Sequence, residues 1–251
     1  MATFVDEQLM ECDGVVVGSA VYCLAPTGLF KTVCDRFGPS HDLVWRIESK
    51  KIVDATGKGK GPDERSFKDR VGGFIFVGGA STPHWLSLGL PLMYLFAFPS
   101  HITIVDQMQV LSMSQYGNVV LNEEAIKRAR RLGRNVAQAM SKPISEVKWI
   151  GDEPGTCPVC HSNLLTVGKK NPVECPICGI SGEIKVDGNE ITVTFSEEEQ
   201  KRSRLTLAGK MEHWVELRNN FPMIGQRIQK EGMELPKKLE KYKGYKEIQI
   251  K

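Results

Sequence analysis

Long apolar runs are missing from this 251-residue chain: its most apolar stretch, Trp85 to Phe98, is interrupted by Gly89 and Pro91 and is shorter than the roughly 20 residues a bilayer crossing needs. No membrane-spanning segment is expected. An excess of charge of one sign is missing too, because 33 basic residues stand against 30 acidic ones and the net charge is +3, too little to suggest nucleic-acid binding. The densest basic group, Lys127, Arg128, Arg130, Arg131 and Arg134, follows Glu123 and Glu124 on one helical stretch and reads as a solvated helix face. The opening MATFVDEQLMECDG carries acids and lacks the basic region and apolar core of a signal peptide. Of seven cysteines, Cys12, Cys23 and Cys34 are isolated, with no paired framework of the kind secreted domains use, so a reducing cytoplasm is expected. Internal repeats are absent. What remains, 41% apolar and 25% charged residues, is the mix of a globular protein with a real core.

Strand and helix patterns alternate through the first 142 residues. Gly14 to Gly18 is short, β-branched and apolar on both faces, the pattern of a central parallel strand covered on each side. A loop, Ser19 to Thr27, and a helix from Gly28 to about Phe37 complete a βα unit, with Leu29, Val33 and Phe37 on one face. A polar stretch containing Gly57 to Pro62 reads as surface loop. Strands are expected at Val71 to Val77 and His101 to Asp106, a covering helix at Trp85 to Phe98, and a helix capped by Asn122 and reaching Met140. This alternation predicts an α/β fold. Pro143, Gly151 and Pro154 punctuate a linker, after which residues 151–195 form a second module with a hairpin around Asp187-Gly188-Asn189. Ser196 and Glu199 make a capping box for a helix to about Asn219, and residues 196–251 end in a Lys-rich surface arm.

The second module carries the most specific signal. Cys157-Pro-Val-Cys160 and Cys175-Pro-Ile-Cys178 are two CxxC turns separated by 14 residues, and two such turns facing each other supply four thiolates in a tetrahedron. Zinc is expected, with iron in a rubredoxin-like site as the alternative; His161 is a bystander. The module has few large apolar residues, so the metal should supply much of its folding energy, and its removal should unfold residues 155 to 195 while sparing the rest.

In open parallel sheets a ligand sits beyond the carboxyl ends of the strands, here Ser19 to Tyr22, Gly78 to Ser81, and Gln107 and Met108. The block Asp13-Gly-Val-Val-Val-Gly-Ser-Ala-Val-Tyr22, followed by Gly28-Leu-Phe-Lys31 and Asp35-Arg36, resembles the D-G-[IV]-[IV]-x-G-[ST]-P-V-Y…L-K…D-R block of NADPH-dependent FMN reductases and iron–sulfur flavoproteins, and the similarity continues to about Met140. The resemblance implies a flavodoxin-like domain over residues 1–142, with Ser19, Ala20, Val21, Tyr22, Gly78, Gly79 and Ala80 against the FMN ring, Tyr22 stacking and the Gly78 and Gly79 amides on the pyrimidine edge. It implies an oxidoreductase in which FMN takes electrons from NAD(P)H for a small acceptor or a redox partner protein; a non-catalytic subunit of a larger assembly is the alternative.

Three features depart from the family pattern. Ala20 replaces a usual proline, and Ala80-Ser-Thr-Pro-His-Trp85 replaces the family's Gly-Gln-Glu. The family's first strand, phosphate loop and second strand have no counterpart, which leaves the triple-valine strand at an open sheet edge. A preceding segment, a partner chain or a rearranged fold must cover that edge; a preceding segment, which could carry an iron–sulfur motif, is the expectation. Cys23 and His84 are placed at the rim of the pocket. A homo-oligomer is expected through Trp85 to Phe98, which is more apolar than one covering face requires.

Overall fold

The computed structural model describes residues 2–152 and 154–244. They form two compact units, residues 1–210 and 211–251. In chain order the elements are α1 (Ala2–Glu11), β1 (Gly14–Tyr22), β2 (Ala25–Pro26), α2 (Gly28–His41), α3 (Leu43–Thr56), β3 (Arg70–Val77), α4 (Gly89–Ser100), β4 (Ile102–Val110), α5 (Glu123–Met140), β5 (Val173–Cys175), β6 (Ile180–Asp187), β7 (Glu190–Thr194), α6 (Glu197–Lys201), α7 (Leu207–Glu231) and α8 (Leu235–Glu240). No helix among the described residues is long and apolar enough to cross a membrane.

Strands β1, β3 and β4 are parallel, and the sheet order is β2-β1-β3-β4. Each strand is short, β-branched or aromatic, and separated from the next by a helix, which is the sequence condition for a parallel sheet. One face buries Phe74, Phe76, Met93, Tyr94 and Phe96 in a core shared with α2 and α4. The other packs Val71, Val105 and Val110 against Leu132, Val136 and Ala139 of α5. Helix α5 begins where expected, with Ala125 N–H donating to Asn122 Oδ1 at 3.0 Å.

β1 does not have both faces covered, as its all-valine pattern predicts. Val15 and Val17 pack on the first core, whereas Val16 is 45% exposed, because α5 reaches only as far as Gly14, where Met140 and Val136 sit. Among the described residues, the β1 edge away from β3 is paired only at Val21 and Tyr22, by β2. The expected loop from Ser19 is therefore strand as far as Tyr22, followed by a tight turn in which Cys23 (φ 49°) and Leu24 (φ 70°) both take left-handed conformations, as a two-residue hairpin of this hand requires.

Helix α3 occupies much of the stretch the sequence predicts as polar loop. Asp42 caps it by accepting from Val44 N–H at 2.9 Å, and Gly57 (φ 63°) closes it. The apolar 85–98 segment divides into a 3₁₀ turn at Pro83–Leu86 and α4. Gly89 lies against Phe76, whose ring atoms would be 1.7 Å from an added Cβ. The surplus apolarity of α4 needs no second copy: Met93, Tyr94, Phe96 and Ala97 are buried within the first unit between sheet, α2 and the cysteine module. The single helix expected from Ser196 to Asn219 is broken. Ser203 is fully buried, Arg204 N–H donates to Cys178 O at 2.9 Å, and Thr206 starts α7 by accepting from Gly209 N–H.

Where parallel strands begin, the preceding helices end, so negative helix ends collect at one edge of the sheet. Three buried cations meet them. Arg70 donates to Leu9 O (2.6 Å) and Met10 O (3.2 Å) at the end of α1; Arg46 donates to His41 O at the end of α2; Lys210 donates to Phe98 O near the end of α4. Burial and the Arg70 charge pull Arg46 down to about 10, and burial pulls Lys210 down to about 8. His101, which ends α4 in a left-handed conformation (φ 53°), is held neutral at about 4 by burial and by Lys210 and Arg46. Because its folded value lies below the unfolded value near 6.5, the unfolded chain takes up the proton first and stability falls as pH drops from about 6.5 to 4. Thermal melts over that window should therefore steepen by up to about 1.4 kcal/mol per pH unit for this group. His101→Asn, which tolerates the left-handed backbone, is expected to flatten that part of the profile; an unchanged slope would remove His101 from the account.

Candidate functional site

The four cysteines of the two CxxC turns converge in the first unit. All are buried, and their sulfurs lie within 4.8 Å of one another. Cys157 Sγ is 3.7 Å from Cys178 Sγ, and Cys160 Sγ is 3.5 Å from Cys175 Sγ. A tetrahedron of thiolates around zinc at about 2.3 Å has edges of about 3.8 Å, so the cage has the size the metal requires. Each turn is closed by the same bond, His161 N–H to Cys157 O at 2.9 Å and Gly179 N–H to Cys175 O at 2.8 Å. Both closing residues are left-handed, with φ of 56° and 69°. His161 accepts that conformation although it is not glycine; its ring is half-buried and meets Trp149 at a tilt of 34° with centroids 4.0 Å apart. It contributes no ligand to the cage.

Electrostatics give the cage its preference for a cation. Hydrogen bonds from Cys157, Cys160 and Cys178 pull the Cys175 thiol well below its ordinary range, whereas Cys160 and Cys178 are pushed far above theirs by their neighbouring thiols and by burial. The Cys157 thiol is lowered as well, by its bonds to Cys160 and Cys178, so two thiolates are eased in this volume and the other two are not, unless a positive ion shares it. The donor set, four buried soft sulfurs at tetrahedral spacing, fits zinc or iron.

The cage is joined to the α/β core. Tyr94, 5% exposed on α4, donates its hydroxyl to Cys160 O at 2.7 Å. Its ring meets Phe74 of β3 edge-on at 5.2 Å. The cysteines, Ile180 and Phe195 belong to the same buried cluster as Phe74, Phe76 and Met93. The linker after α5 lies along β4, with Ile150 and Gly151 N–H donating to Val105 O, and delivers Trp149 to His161. Beneath it Asp106, fully buried, is held by Arg128 (3.0 Å to Oδ2) and Asn135 (2.8 Å). Arg128 is thus a half-buried partner of Asp106 and not simply part of a solvated face. Neither Tyr94 nor Arg128 stands out by periodicity. A lone phenol within an apolar helix was the available signal for Tyr94, since a buried hydroxyl needs an acceptor.

The residues implied for FMN meet at the carboxyl ends of β1 and β3, where Ser19 aligns with Phe76 and Ala20 with Val77. Ser19 is 9% exposed, and its Oγ accepts from Thr27 N–H (3.2 Å) and donates to Ala20 O (3.0 Å), so it braces the hairpin. Val21 packs on the core, Ala20 is exposed, and Tyr22 is 70% exposed. Gly78 does not offer an amide to a ligand as expected: its N–H donates to Val110 O (2.9 Å), and Leu86 fills the space a side chain would need. Gly79 is exposed, and Ala80 O accepts from Ser112 N–H at 2.9 Å. Cys23 and His84 are exposed rim residues, and Trp85 beside His84 is 56% exposed. Helix α2 starts at this edge with open space above Gly28 and with Thr27 Oγ1 capping Phe30 N–H. Exposed aromatics, a free glycine turn and a helix amino end fit a planar, electron-rich ring.

Comparison with known proteins gives a consistent picture. Residues 2–110 match the family model described as NADPH-dependent FMN reductase. The flavone synthase cfoJ of Aspergillus candidus is 36% identical over 228 residues, spanning 88% of this chain and 68% of that protein. A solved structure titled flavone reductase superposes on 100% of this chain and 83% of its own, with a TM-score of 0.84 and 28% identity. With a third of its residues shared with one such enzyme and β1 and β3 both inside the family model, the chain belongs to the NADPH-dependent FMN reductase family, FMN-dependent oxidoreductases of flavodoxin-like fold.

Proposed function

We propose that this chain moves a hydride equivalent between NAD(P)H and a planar conjugated ketone of the flavone class, using FMN at the β1/β3 edge, and that its cysteine cage holds zinc in a structural role. The observation that carries the redox reading is the convergence of Ser19 to Tyr22 with Gly79 and Ala80 at the carboxyl ends of adjacent parallel strands. FMN bound there would be held by the turns after β1 and β3 and would supply the two-electron chemistry that joins nicotinamide to acceptor. Tyr22 and Trp85, both more than half exposed, supply apolar planes against which flat rings can stack. The Gly79 turn leaves backbone close to a ring edge, and the hairpin braced by Ser19 and Thr27 fixes the position of Tyr22. The acceptor class is supported by the flavone named in both relatives, one called a synthase and the other a reductase. For a flavone, reduction adds hydride to C2 and a proton to C3 of the conjugated double bond, with NAD(P)H oxidised to NAD(P)+. Since the rim is open and solvent-exposed, water can deliver that proton.

A second reading is favoured by the β1 edge between Gly14 and Ala20, unpaired among the described residues: a chain that serves as a non-catalytic subunit and holds no FMN by itself. Purified protein should be yellow or turn yellow with added FMN, quench flavin fluorescence, and consume NAD(P)H when a flavone is supplied. Tyr22→Ala should weaken flavin binding by roughly tenfold, in line with the loss of one stacking aromatic of about 1.4 kcal/mol. Protein that stays colourless and leaves FMN fluorescence unchanged would select the subunit reading instead.

For the cage, metal analysis should return one zinc per chain without the visible absorption of an iron–thiolate site. Tyr94→Phe strands the buried Cys160 carbonyl and should cost about 1–2 kcal/mol of stability while leaving four thiolates to retain zinc. Red protein containing iron would overturn the structural assignment in favour of an electron-transfer centre.

A further inference from the structure

The turn after β4 is tied to the β3 turn by contacts that neither the flavin nor the metal reading uses. Just past the strand, Ser112 takes a left-handed conformation (φ 61°). Its N–H donates to Ala80 O, and the next amide, Met113 N–H, donates to Gly78 O, both at 2.9 Å. In a regular strand successive amides point to opposite sides; here both point at residues 78–80, and the chain that follows is laid over that turn. A Cβ added at Gly79 would stand 3.0 Å from Ser114 Cβ and 3.3 Å from Ser114 Cα, so Ser114 sits against the glycine proposed for the ring edge. Asn118 Nδ2 donates to Ser112 O at 3.0 Å, and Asn122 at the far end caps α5. Braced in this way, residues 111–121 carry no charged side chain. They present Tyr116, fully exposed, with Val120 71% and Leu121 82% exposed. The Ser114 side chain is exposed too, and its hydroxyl has no protein partner among the described residues.

We propose that the 111–121 loop is the wall that recognises the acceptor, and that the Ser114 hydroxyl donates a hydrogen bond to the carbonyl oxygen of the planar conjugated ketone. The inference rests on the flavin reading of the β1/β3 edge and adds to it the residue that orients the second substrate. The acceptor chemistry follows from the loop's composition. A flat neutral molecule lies against Tyr116, Val120 and Leu121 without stranding a charge, whereas a phosphorylated or carboxylated one would find no cation here. When hydride adds to C2 of a flavone, the C2–C3 electron pair moves toward the C4 oxygen, which gains negative charge until water protonates C3 and the carbonyl re-forms. A donor aimed at that oxygen is therefore bonded more strongly as the reaction proceeds than to the resting ketone. The hydroxyl keeps its own proton throughout, in agreement with an open rim where water is the proton source.

The test titrates the FMN-loaded, oxidised protein with flavone and with its 4H-flavene analogue, which lacks the C4 carbonyl, following the flavin absorption band. Ser114→Ala should weaken flavone binding roughly three- to tenfold, the range of one neutral hydrogen bond, and leave the affinity for the carbonyl-free analogue as it was. Its kcat/KM for flavone should fall further, by about 10- to 100-fold, because the bond is charge-assisted in the transition state. Ser114→Thr, which keeps the hydroxyl, should recover most of both losses. An equal loss for the two ligands, or no loss for either, would overturn the Ser114 assignment while the flavin reading stands. Wild-type protein that binds no FMN would overturn both.

Discussion

Helix α4 is apolar along its whole length because three neighbours cover most of it, leaving Leu95 37% exposed, and the rest of the first unit is arranged around that fact. One face lies on β3, where Gly89 makes room for Phe76 and Tyr94 stands edge-on to Phe74. Another meets α2 through Phe96 and Phe37, with ring centroids 5.2 Å apart. A third side is closed by the cysteine module, through the hydrogen bond from Tyr94 to Cys160 O. A two-layer α/β fold alone would leave that side wet. The thiolate cage therefore does more than organise its own knuckles: it covers the helix whose preceding turn, at Leu86, packs on Gly78 beside the proposed ring-binding edge.

A second constraint divides the sheet into two electrical ends. Helices that follow parallel strands all finish at the same edge, and the accumulated carbonyls are met there by Arg46, Arg70 and Lys210, each bonded to main-chain oxygen and largely dry. The opposite edge receives the helix amino ends and the two turns proposed for flavin. An anionic or electron-rich ligand is favoured at that end by the same dipoles that the buried cations answer at the other. Placing cations under the sheet has a cost, visible in the lowered proton affinity of Arg46 and Lys210, and His101 stays neutral beside them.

Much of this was legible in residue spacing. The 71–77 strand, the Asn122-capped helix, the Gly188-Asn189 hairpin and the convergence of four sulfurs each rest on a local rule, and no tertiary contact opposes it. The misses have a common cause in contacts made over long sequence distances. Helix α3 buries only Val44 and Arg46 along its fourteen residues, so its polar composition resembled a loop. The break at 202–206 arises because Arg204 is drawn to the carbonyl of Cys178 and Ser203 is buried beneath it. Arg128 looked like one of several exposed bases until Asp106, buried in β4, was seen to require it. At the flavin edge, the strand-end positions could be read from the βα pattern, whereas the use of the Gly78 amide by Val110 depends on how far β4 extends.

The central claim is that the metal cage and the α/β sheet share one core through α4, in place of the independently melting module that composition suggests. Hydrogen exchange of the full chain, before and after a strong chelator, tests this most directly. Loss of protection in residues 155–195 together with the amides of α4 around Tyr94 is the predicted result. Loss confined to residues 155–195, with α4 as protected as before, would contradict it.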